Sequence, residues 1–281
     1  MTYTVPKFAF THDFCFTDRW YIVFQSAVEM DMAPFMAGLK CPGECMQFQD
    51  GEPATVHLIP RPGKHPPGTK PRVIGMESCF VFHHANAYED EAGDIIADSV
   101  RLPRLADFSM DGDFLDVNFD TYPVNQLYRH RISLAGPGKV ESTRVSDRVV
   151  EFPAVNPTVF GRKHRYVFVG AAQHPTRNQP LQGVLKCDLE TGAEETFFLN
   201  PGTFMGECEV IPKRDAASED DVWVVVMCYN GEALGGRGQG QVLVLDGADL
   251  AAGPVATLRT RPEHHVPYGL HGNWADAYHG P

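Results

Sequence analysis

Short runs of β-forming residues, separated by turns rich in glycine and proline, recur along the whole sequence. Such runs occupy residues 20–24, 56–60, 95–100 and 222–228, and no stretch has the apolar period of a long amphipathic helix. The 26 glycines and 22 prolines supply the turns that so many short strands require. A weak repeat of a strand followed by a turn such as DLETG (188–192) suits the blades of a β-propeller. The pattern predicts an all-β fold, and because the repeat is irregular a β-sandwich stays open.

Length and composition describe an acidic globular protein. With 281 residues, 43% of them hydrophobic and 21% charged, the chain can bury a large core as one domain or two. We treat residues 1–281 as one domain. The net charge of −12 argues against a nucleic-acid partner, which requires a basic surface. The same charge gives no attraction to anionic lipid, so any membrane contact would be apolar and local.

The cysteines indicate a reducing, intracellular compartment, because they are seven in number and scattered without a framework. Cys41 and Cys45 resemble half of a zinc site, but the sequence has no second pair of this kind. The first residues lack the charged and apolar regions of a signal peptide, and no apolar run of about 18 residues predicts a spanning helix. We expect an intracellular protein, soluble or peripherally attached to a membrane.

The stretch ESCFVFHHANAYE, residues 77–89, carries the first candidate site. Its β-forming run leads directly into His83 and His84. A rigid strand that ends in polar, metal-competent side chains is a common way to present a site. A lone histidine in such a place is more often a structural residue of the core than a ligand, and taken alone this stretch favours the structural interpretation.

Two further histidines change that balance. His12 stands in THDF ahead of the strand-like residues 20–24, and His271 lies between glycines in VPYGLHGNW (266–274). His12, His83 and His271 are far apart in sequence, yet each stands beside a strand or a tight turn. Such an arrangement suits a metal site assembled at the axis of a closed β-structure, since neutral imidazoles are good metal ligands.

Five motifs in this order resemble the C-terminal part of the carotenoid cleavage oxygenase family. They are HDF ahead of TDRWYIVF, FHHANAYE, EFPAVNP, GECEVIP and VPYGLHGNW, and together they extend over nearly the whole chain. The resemblance implies a seven-bladed β-propeller with Fe(II) on its axis. A chain of this length would hold an incomplete propeller that lacks the N-terminal blades.

The resemblance implies that His12, His83 and His271 are iron ligands. Within FHHANAYE the family ligand is the histidine directly after phenylalanine, which selects His83 over His84. Neighbouring side chains of a strand also face opposite ways, so the two histidines cannot readily bind one ion. The family has a fourth histidine and an acidic partner ahead of the HDF motif. We therefore expect either a fragment or a protein that has diverged in function.

The resemblance also implies that Glu151 and Glu207 are acidic partners of the metal-bound histidines, which fix the orientation of each ring. Glu151 lies within an apolar β run, where an unpaired carboxylate is costly, so we expect it to have a partner. Glu209 is a rival for the position of Glu207, and Glu89 is expected to bind local backbone. The histidines with basic or proline neighbours are expected at the surface: His130, His164 and His174.

An apolar segment near residues 31–45 offers two interpretations. Phe35, Met36 and Leu39 fit about one and a half helical turns that end at Gly38 or Pro42. The helix either packs on the domain or contacts a membrane where an apolar substrate enters. Apolar segments near this position in the family resemble membrane-contacting elements. Aromatic residues that would line a substrate tunnel, or belong to the core, are Phe10, Phe82, Phe204 and Tyr268.

The implied reaction is the addition of dioxygen across one carbon–carbon double bond of a carotenoid or apocarotenoid, with Fe(II) as cofactor and two carbonyl products. No motif for a protein nucleophile such as G-x-S-x-G occurs in the sequence. The first alternative is a propeller that binds an apolar ligand but has lost catalysis together with its fourth histidine. A second alternative is an interaction propeller whose histidines are structural.

Overall fold

The computed structural model describes residues 2–107, 112, 116–236, 238–264, 266 and 269–277, and of Leu234 only the backbone. Over these residues the chain forms eighteen strands and two helices of four or five residues. Every paired strand runs antiparallel to its neighbours. The predicted all-β class is confirmed. No helix within the described ranges has the length and apolar character needed to cross a membrane.

The chain divides into two compact units, of which the first comprises Met1–Val149, Gly161–Lys163 and His174–Gln179. Its elements in chain order are β1 (Cys15–Phe16), β2 (Trp20–Gln25), β3 (Val28–Met30), α1 (Met32–Met36), β4 (Met46–Phe48), β5 (Ala54–Pro60), β6 (Arg72–Met76), β7 (Phe80–Glu89), β8 (Ile95–Leu102), β9 (Gln126–Ser133) and β10 (Lys139–Arg144). A short 3-10 turn, Gly43–Cys45, precedes β4.

The second unit comprises Val150–Phe160, His164–Gln173 and Pro180–Pro281. Its elements are β11 (Val150–Ala154), β12 (Tyr166–Ala172), β13 (Leu181–Asp188), β14 (Glu194–Phe198), β15 (Thr203–Pro212), β16 (Val222–Asn230), α2 (Ala233–Gly236), β17 (Gln239–Asp246) and β18 (Pro254–Arg259). The 3-10 turns Pro157–Val159 and Leu250–Ala252 also belong to it.

Within the described residues, each unit contains two four-stranded antiparallel sheets. In the first unit the strand orders are β1-β2-β5-β6 and β10-β9-β8-β7, and the hairpin β3–β4 is inserted between β2 and β5. In the second unit the orders are β11-β12-β13-β14 and β15-β16-β17-β18. Up-and-down sheets of four strands are the building unit of β-propeller blades.

The core of each unit follows the two-residue period of its strands. On β2, Trp20, Ile22 and Phe24 are buried, and they pack with buried residues of β5 and β6. On β16, alternate residues from Val222 to Cys228 are buried in the core of the second unit. The strands therefore form where alternating apolar side chains can all face one side.

Helix α1 occurs where the sequence predicted it. The Asp31 side chain caps its first turn by accepting the N–H of Ala33 at 3.1 Å. Gly38 follows the helix with a φ of 68°, a left-handed conformation that ends a helix at little cost for glycine. None of the helical residues is buried.

The expectation that His130 and His164 lie at the surface was wrong, whereas His174 is exposed as predicted. His130 is fully buried on β9, where its Nδ1 lies 2.9 Å from the hydroxyl of Ser142. The basic neighbours of His130 occupy adjacent positions of the strand and so face the opposite side. A charged neighbour in a strand therefore does not indicate that a histidine is exposed.

Burial of His130 makes stability depend on pH. Desolvation lowers the pKa of this imidazole to about 3, with further lowering by His84 and Arg101. In the unfolded chain the pKa of histidine is about 6.5, so only the unfolded state binds the proton between these values. The free energy of unfolding should therefore fall as pH decreases below about 6.5, by up to about 1.4 kcal/mol per pH unit from this residue.

Replacing His130 with asparagine, which does not titrate, tests this dependence. Urea unfolding between pH 7 and pH 5 should show that the difference in stability between wild type and His130→Asn shrinks as pH falls, roughly at the slope above. A constant difference between wild type and His130→Asn over this pH range would contradict the buried, neutral state of His130.

Candidate metal site

His83 lies on β7 at a break in the β-ladder. The pairing of β7 with β8 shifts register between Val81 and His84, and shifts again between His84 and Asn86. Such bulges leave extra residues on one strand and turn their side chains away from the regular alternation. Because two bulges lie within a few residues, the side chain of His83 need not point to the side of the sheet that regular two-residue alternation would predict.

His12 belongs to the irregular segment before β1 and lies next to His83. The ring centroids of these two residues are 5.0 Å apart with an interplanar angle of 85°. A ring nitrogen of His12 and one of His83 lie within 4.8 Å of each other. Two nitrogens that bond one ion from opposite sides at about 2.1 Å are about 4.2 Å apart, so a small adjustment brings this pair into range of a single ion.

His84 has a different environment, as the sequence predicted. Its Nδ1 lies 2.6 Å from the hydroxyl of Ser99, and its ring packs against Phe24 at a centroid distance of 4.9 Å. Burial lowers the pKa of His84 to about 4, with Asp13 acting in the opposite direction. The imidazole is therefore neutral near pH 7 and serves as a fixed part of the core.

The polar residues that follow in FHHANAYE attach β7 to neighbouring segments. The side chain of Asn86 donates to the carbonyl of Arg162 at 3.0 Å and accepts the N–H of Gly161 at 2.9 Å. Glu89 accepts the hydroxyl of Thr17 at 2.6 Å and the N–H of Arg19 at 3.2 Å. The expectation that Glu89 binds backbone agrees with the second contact.

An aromatic cluster stands beside the paired histidines. Phe82 lies 5.8 Å from His12, 4.6 Å from Phe80 and 6.3 Å from Phe10, between ring centroids. Phe80 and Phe10 also stack at 5.8 Å. Of the proposed tunnel residues, Phe82 thus borders the imidazoles and Phe10 packs against Phe82. Phe204 is half-buried on β15 of the second unit, and Tyr268 lies outside the described residues.

In the second unit, His271 is held by the carboxylate of Glu207. The Nδ1 of His271 lies 3.0 Å from Oε2 of Glu207, and because a carboxylate only accepts, Nδ1 carries the proton. The other oxygen, Oε1, accepts the N–H of Gly272. Glu207 stands where the pairing of β15 with β16 shifts register between Met205 and Cys208. A bulge thus directs this carboxylate as well.

Glu209, the rival of Glu207, binds another part of the same loop. Its Oε1 accepts the N–H of Trp274 at 3.0 Å. Burial raises the pKa of Glu209, with nearby Glu207 contributing in the same direction. The two carboxylates together fasten the loop that carries His271, and Glu207 is the one that contacts the histidine.

Glu151 also stands at a bulge, since the register of β11 shifts between Glu151 and Ala154. Its Oε2 accepts the N–H of the neighbouring Phe152 at 2.5 Å. That Glu151 is the acidic partner of a metal-bound histidine stays a prediction. Phe152 has a φ of 55°, a conformation that is strained for a bulky residue. The ring of Phe152 meets that of His271 edge-on at 6.0 Å.

Sequence reasoning missed Phe152, although a signal was present. Pro153 follows it inside β11, and proline within a strand indicates an edge or a bulge. β11 is both the edge strand of its sheet and bulged at this point. Gly206 in β15 is a comparable signal for the bulge at Glu207.

The apolar residues at α1 remain exposed. The exposed fractions are 75% for Met36 and 78% for Leu39, and Phe35 and Met32 of the same helix are also exposed. These apolar side chains are therefore not buried among the described residues of the first unit.

Exchange of Glu207 for glutamine should loosen the loop at His271. A glutamine amide has one carbonyl oxygen and no charge, so it replaces at most one of the two bonds to His271 and Gly272. A hydrogen bond to a charged group contributes about 1.5–3 kcal/mol, so amide exchange of Gly272 should accelerate about tenfold or more. Hydrogen exchange measured by NMR checks this.

The matched control is Glu209→Gln, in which exchange should accelerate at Trp274 and stay unchanged at Gly272. In Glu207→Ala neither bond can form, so equal protection of Gly272 in wild type and in this variant would refute the role of Glu207.

Comparison with known proteins gives a consistent set of relatives. The chain matches the family model described as Retinal pigment epithelial membrane protein over residues 1–276. An apocarotenoid-15,15'-oxygenase from Synechocystis sp. is 41% identical over 274 residues, which cover 98% of this chain and 53% of that protein. A carotenoid cleavage oxygenase from Mycobacterium tuberculosis is 33% identical over 235 residues, which cover 79% of this chain and 42% of that protein.

Among solved structures, that of cobalt-substituted Synechocystis ACO is similar with a TM-score of 0.89 at 40% identity. The similarity covers 98% of this chain and 55% of that one. This chain therefore spans about half the length of the curated relatives it matches. Because the family model matches nearly every residue, the chain belongs to the carotenoid cleavage oxygenase family, whose model is described as Retinal pigment epithelial membrane protein.

Proposed function

We propose that this chain supplies the metal centre of an Fe(II)-dependent dioxygenase that cleaves a carbon–carbon double bond of a carotenoid or apocarotenoid to give two carbonyl products. The observation that carries the proposal is the pairing of His12 with His83 at a centroid distance of 5.0 Å. His271 is proposed as a further ligand of the same ion.

The donor set fits a ferrous ion. Imidazole nitrogens suit iron and leave coordination positions for other molecules. His271 presents Nδ1 to Glu207, so a metal would be bound through Nε2, in the usual arrangement of a carboxylate behind a ligating histidine. The related Synechocystis ACO has been solved in a cobalt-substituted form, which supports a metal site in this chain.

We propose that Glu151 and Glu207 orient metal-bound imidazoles. Both carboxylates stand at bulges, where the strand directs them away from the ladder. For Glu207 the bond to His271 supports this role. For Glu151 the support is indirect. Its carboxylate accepts the N–H of the strained Phe152, and the ring of Phe152 packs edge-on against that of His271.

The protein's part in the reaction would be to hold the substrate and exclude water. When bound, Fe(II) would supply the activation of dioxygen. Phe10 and Phe82, with Phe80 behind them, offer an apolar wall beside His12 against which a polyene can lie. An apolar wall fixes the depth of a rigid polyene and therefore which double bond meets the metal.

Helix α1 is proposed as the place where substrate enters from a membrane. Its exposed apolar residues precede the hairpin strand β4, and Met46 and Phe48 of β4 pack with the aromatic cluster that borders His12. In the first unit, α1 is thus followed along the chain by a strand that packs with the aromatic cluster beside the paired histidines. The proposed partners are a carotenoid or apocarotenoid, dioxygen and a peripheral membrane surface, in the cytoplasm or a plastid.

We further propose that residues 1–281 belong to one seven-bladed propeller domain. The support is the set of four blade-like sheets among the described residues and the similarity to the Synechocystis structure at a TM-score of 0.89. The other blades of such a propeller would be supplied by residues other than 1–281.

Replacing His83 with alanine tests the metal centre. The protein loaded anaerobically with Fe(II) should contain about one iron per chain, whereas His83→Ala should lose most of it because the paired donor is gone. The exposed His174→Ala serves as the matched control and should retain the iron. Iron in His83→Ala equal to wild type would reject the centre and favour structural histidines.

Turnover of an apocarotenal separates catalysis from binding. Cleavage shortens the conjugated chain, so the absorbance of the substrate should shift to shorter wavelength as two carbonyl products form. The assay is performed on this chain and on a longer protein that contains it and has the full length of the relatives. Bound iron and bound polyene without turnover in either form would instead support a binding protein that lacks catalysis.

Charged substitutions at α1 test membrane contact. Burying a methionine or leucine side chain contributes about 1.5–3 kcal/mol, so Met36→Glu and Leu39→Glu should each weaken binding to phosphatidylcholine vesicles about tenfold or more. Phosphatidylcholine is chosen because it has no net charge, whereas an anionic lipid would repel a chain with a net charge of −12. Val73→Glu alters another exposed apolar residue and should leave vesicle co-sedimentation unchanged. Equal losses in all three variants would contradict a specific contact by α1.

A further inference from the structure

The carboxylate of Asp13 joins the two segments that carry His12 and His83. Its Oδ1 accepts the N–H of Phe14 at 2.7 Å, and its Oδ2 accepts the N–H of His84 at 2.9 Å. Asp13 directly follows His12, and His84 directly follows His83. One side chain thus connects the residues next to both imidazoles.

His12 needs such an attachment because its segment has no strand or helix. Residues 2–14 are irregular until β1 begins at Cys15. Two other hydrogen bonds attach this segment at positions farther from His12. The hydroxyl of Tyr3 lies 2.6 Å from Nδ1 of His57, and the amide of Gln25 donates to the carbonyl of Phe8 at 3.0 Å. Of these attachments, Asp13 is adjacent to the candidate ligand.

The other end of the connection is rigid. The His84 side chain is fixed between Ser99 and Phe24, and its backbone lies between two register shifts of β7. A bulge interrupts the regular ladder, so a backbone N–H at this point requires an acceptor from elsewhere. The carboxylate of Asp13 is that acceptor for His84.

We propose that Asp13 is a positioning residue that sets the separation of the His12 and His83 imidazoles, an inference that rests on the proposed metal centre. By holding both segments before a metal binds, the carboxylate removes part of the ordering cost of binding. Groups that hold ligands from behind typically contribute about 10–100-fold to metal affinity. Asp13 acts through the backbone of the neighbouring residues, with the ligand rings themselves untouched.

The test compares Asp13→Asn and Asp13→Ala with two controls. Asparagine offers one acceptor oxygen and presents an N–H₂ group to the other donor, so it keeps at most one of the two bonds, and alanine keeps neither. Asp18→Asn changes an exposed carboxylate nearby that binds Lys64. Tyr3→Phe removes another attachment of the irregular segment.

Two measurements are made on the full chain. The dissociation constant for Co²⁺, followed anaerobically by visible absorbance, should rise at least about tenfold in Asp13→Ala and less in Asp13→Asn. It should stay within about twofold of wild type in both controls. Hydrogen exchange of the His84 amide, measured without metal, should accelerate in the same order, wild type slowest and Asp13→Ala fastest.

Each outcome decides the inference. Cobalt affinity in Asp13→Ala within twofold of wild type would overturn it, as would an equal loss of affinity in Tyr3→Phe. Failure of wild type to bind Co²⁺ would reject the proposed function. In that case unchanged exchange of His84 in Asp13→Ala would overturn the positioning role, and accelerated exchange would support it independently of the metal.

Discussion

An antiparallel ladder fixes the side to which every residue of a strand points, and only a break in the ladder releases a side chain from that alternation. The candidate metal ligand and the two proposed acidic partners that lie on strands stand at such breaks. His83 lies within the first register shift of β7, between Val81 and His84, Glu151 at the shift of β11, and Glu207 at the shift of β15. In each unit these side chains therefore depend on an irregular strand within an otherwise regular sheet.

A bulge has a cost, because backbone groups that leave the ladder need other partners. Carboxylates accept such backbone N–H groups in three places. Asp13 accepts the N–H of His84, Glu151 accepts that of Phe152, and Glu207 accepts that of Gly272. In the proposed centre, the acidic residues near the histidines thus stabilise the distorted backbone in addition to orienting imidazoles. A substitution that removes one of them should disturb both the local backbone and the metal ligands.

The all-β class, most strands and helix α1 could be predicted from the sequence because each depends on local pattern. Alternating apolar residues define β2 and β16, and Gly38 marks the end of α1. The burial of His130 was missed because its arginine neighbours suggested an exposed position, whereas their side chains face the other side of β9. Similarly, the attachment by Asp13 depends on a contact between segments that are distant in sequence.

For the candidate site, the sequence indicated which residues belong to it, and the structure adds how each is held. The choice of His83 over His84 agrees with their surroundings, since His84 is engaged by Ser99 in the core while His83 stands beside His12. The choice of Glu207 over Glu209 agrees with its bond to His271. That His12, His83 and His271 share one iron stays a prediction.

A crystal structure of the Fe(II)-loaded protein, with anomalous differences measured at the iron edge, tests that prediction most directly. The account predicts one iron bonded to imidazole nitrogens of His12, His83 and His271, each at about 2.1 Å. An iron bound to His12 and His83 without His271, or imidazoles directed into separate pockets with no shared ion, would contradict it.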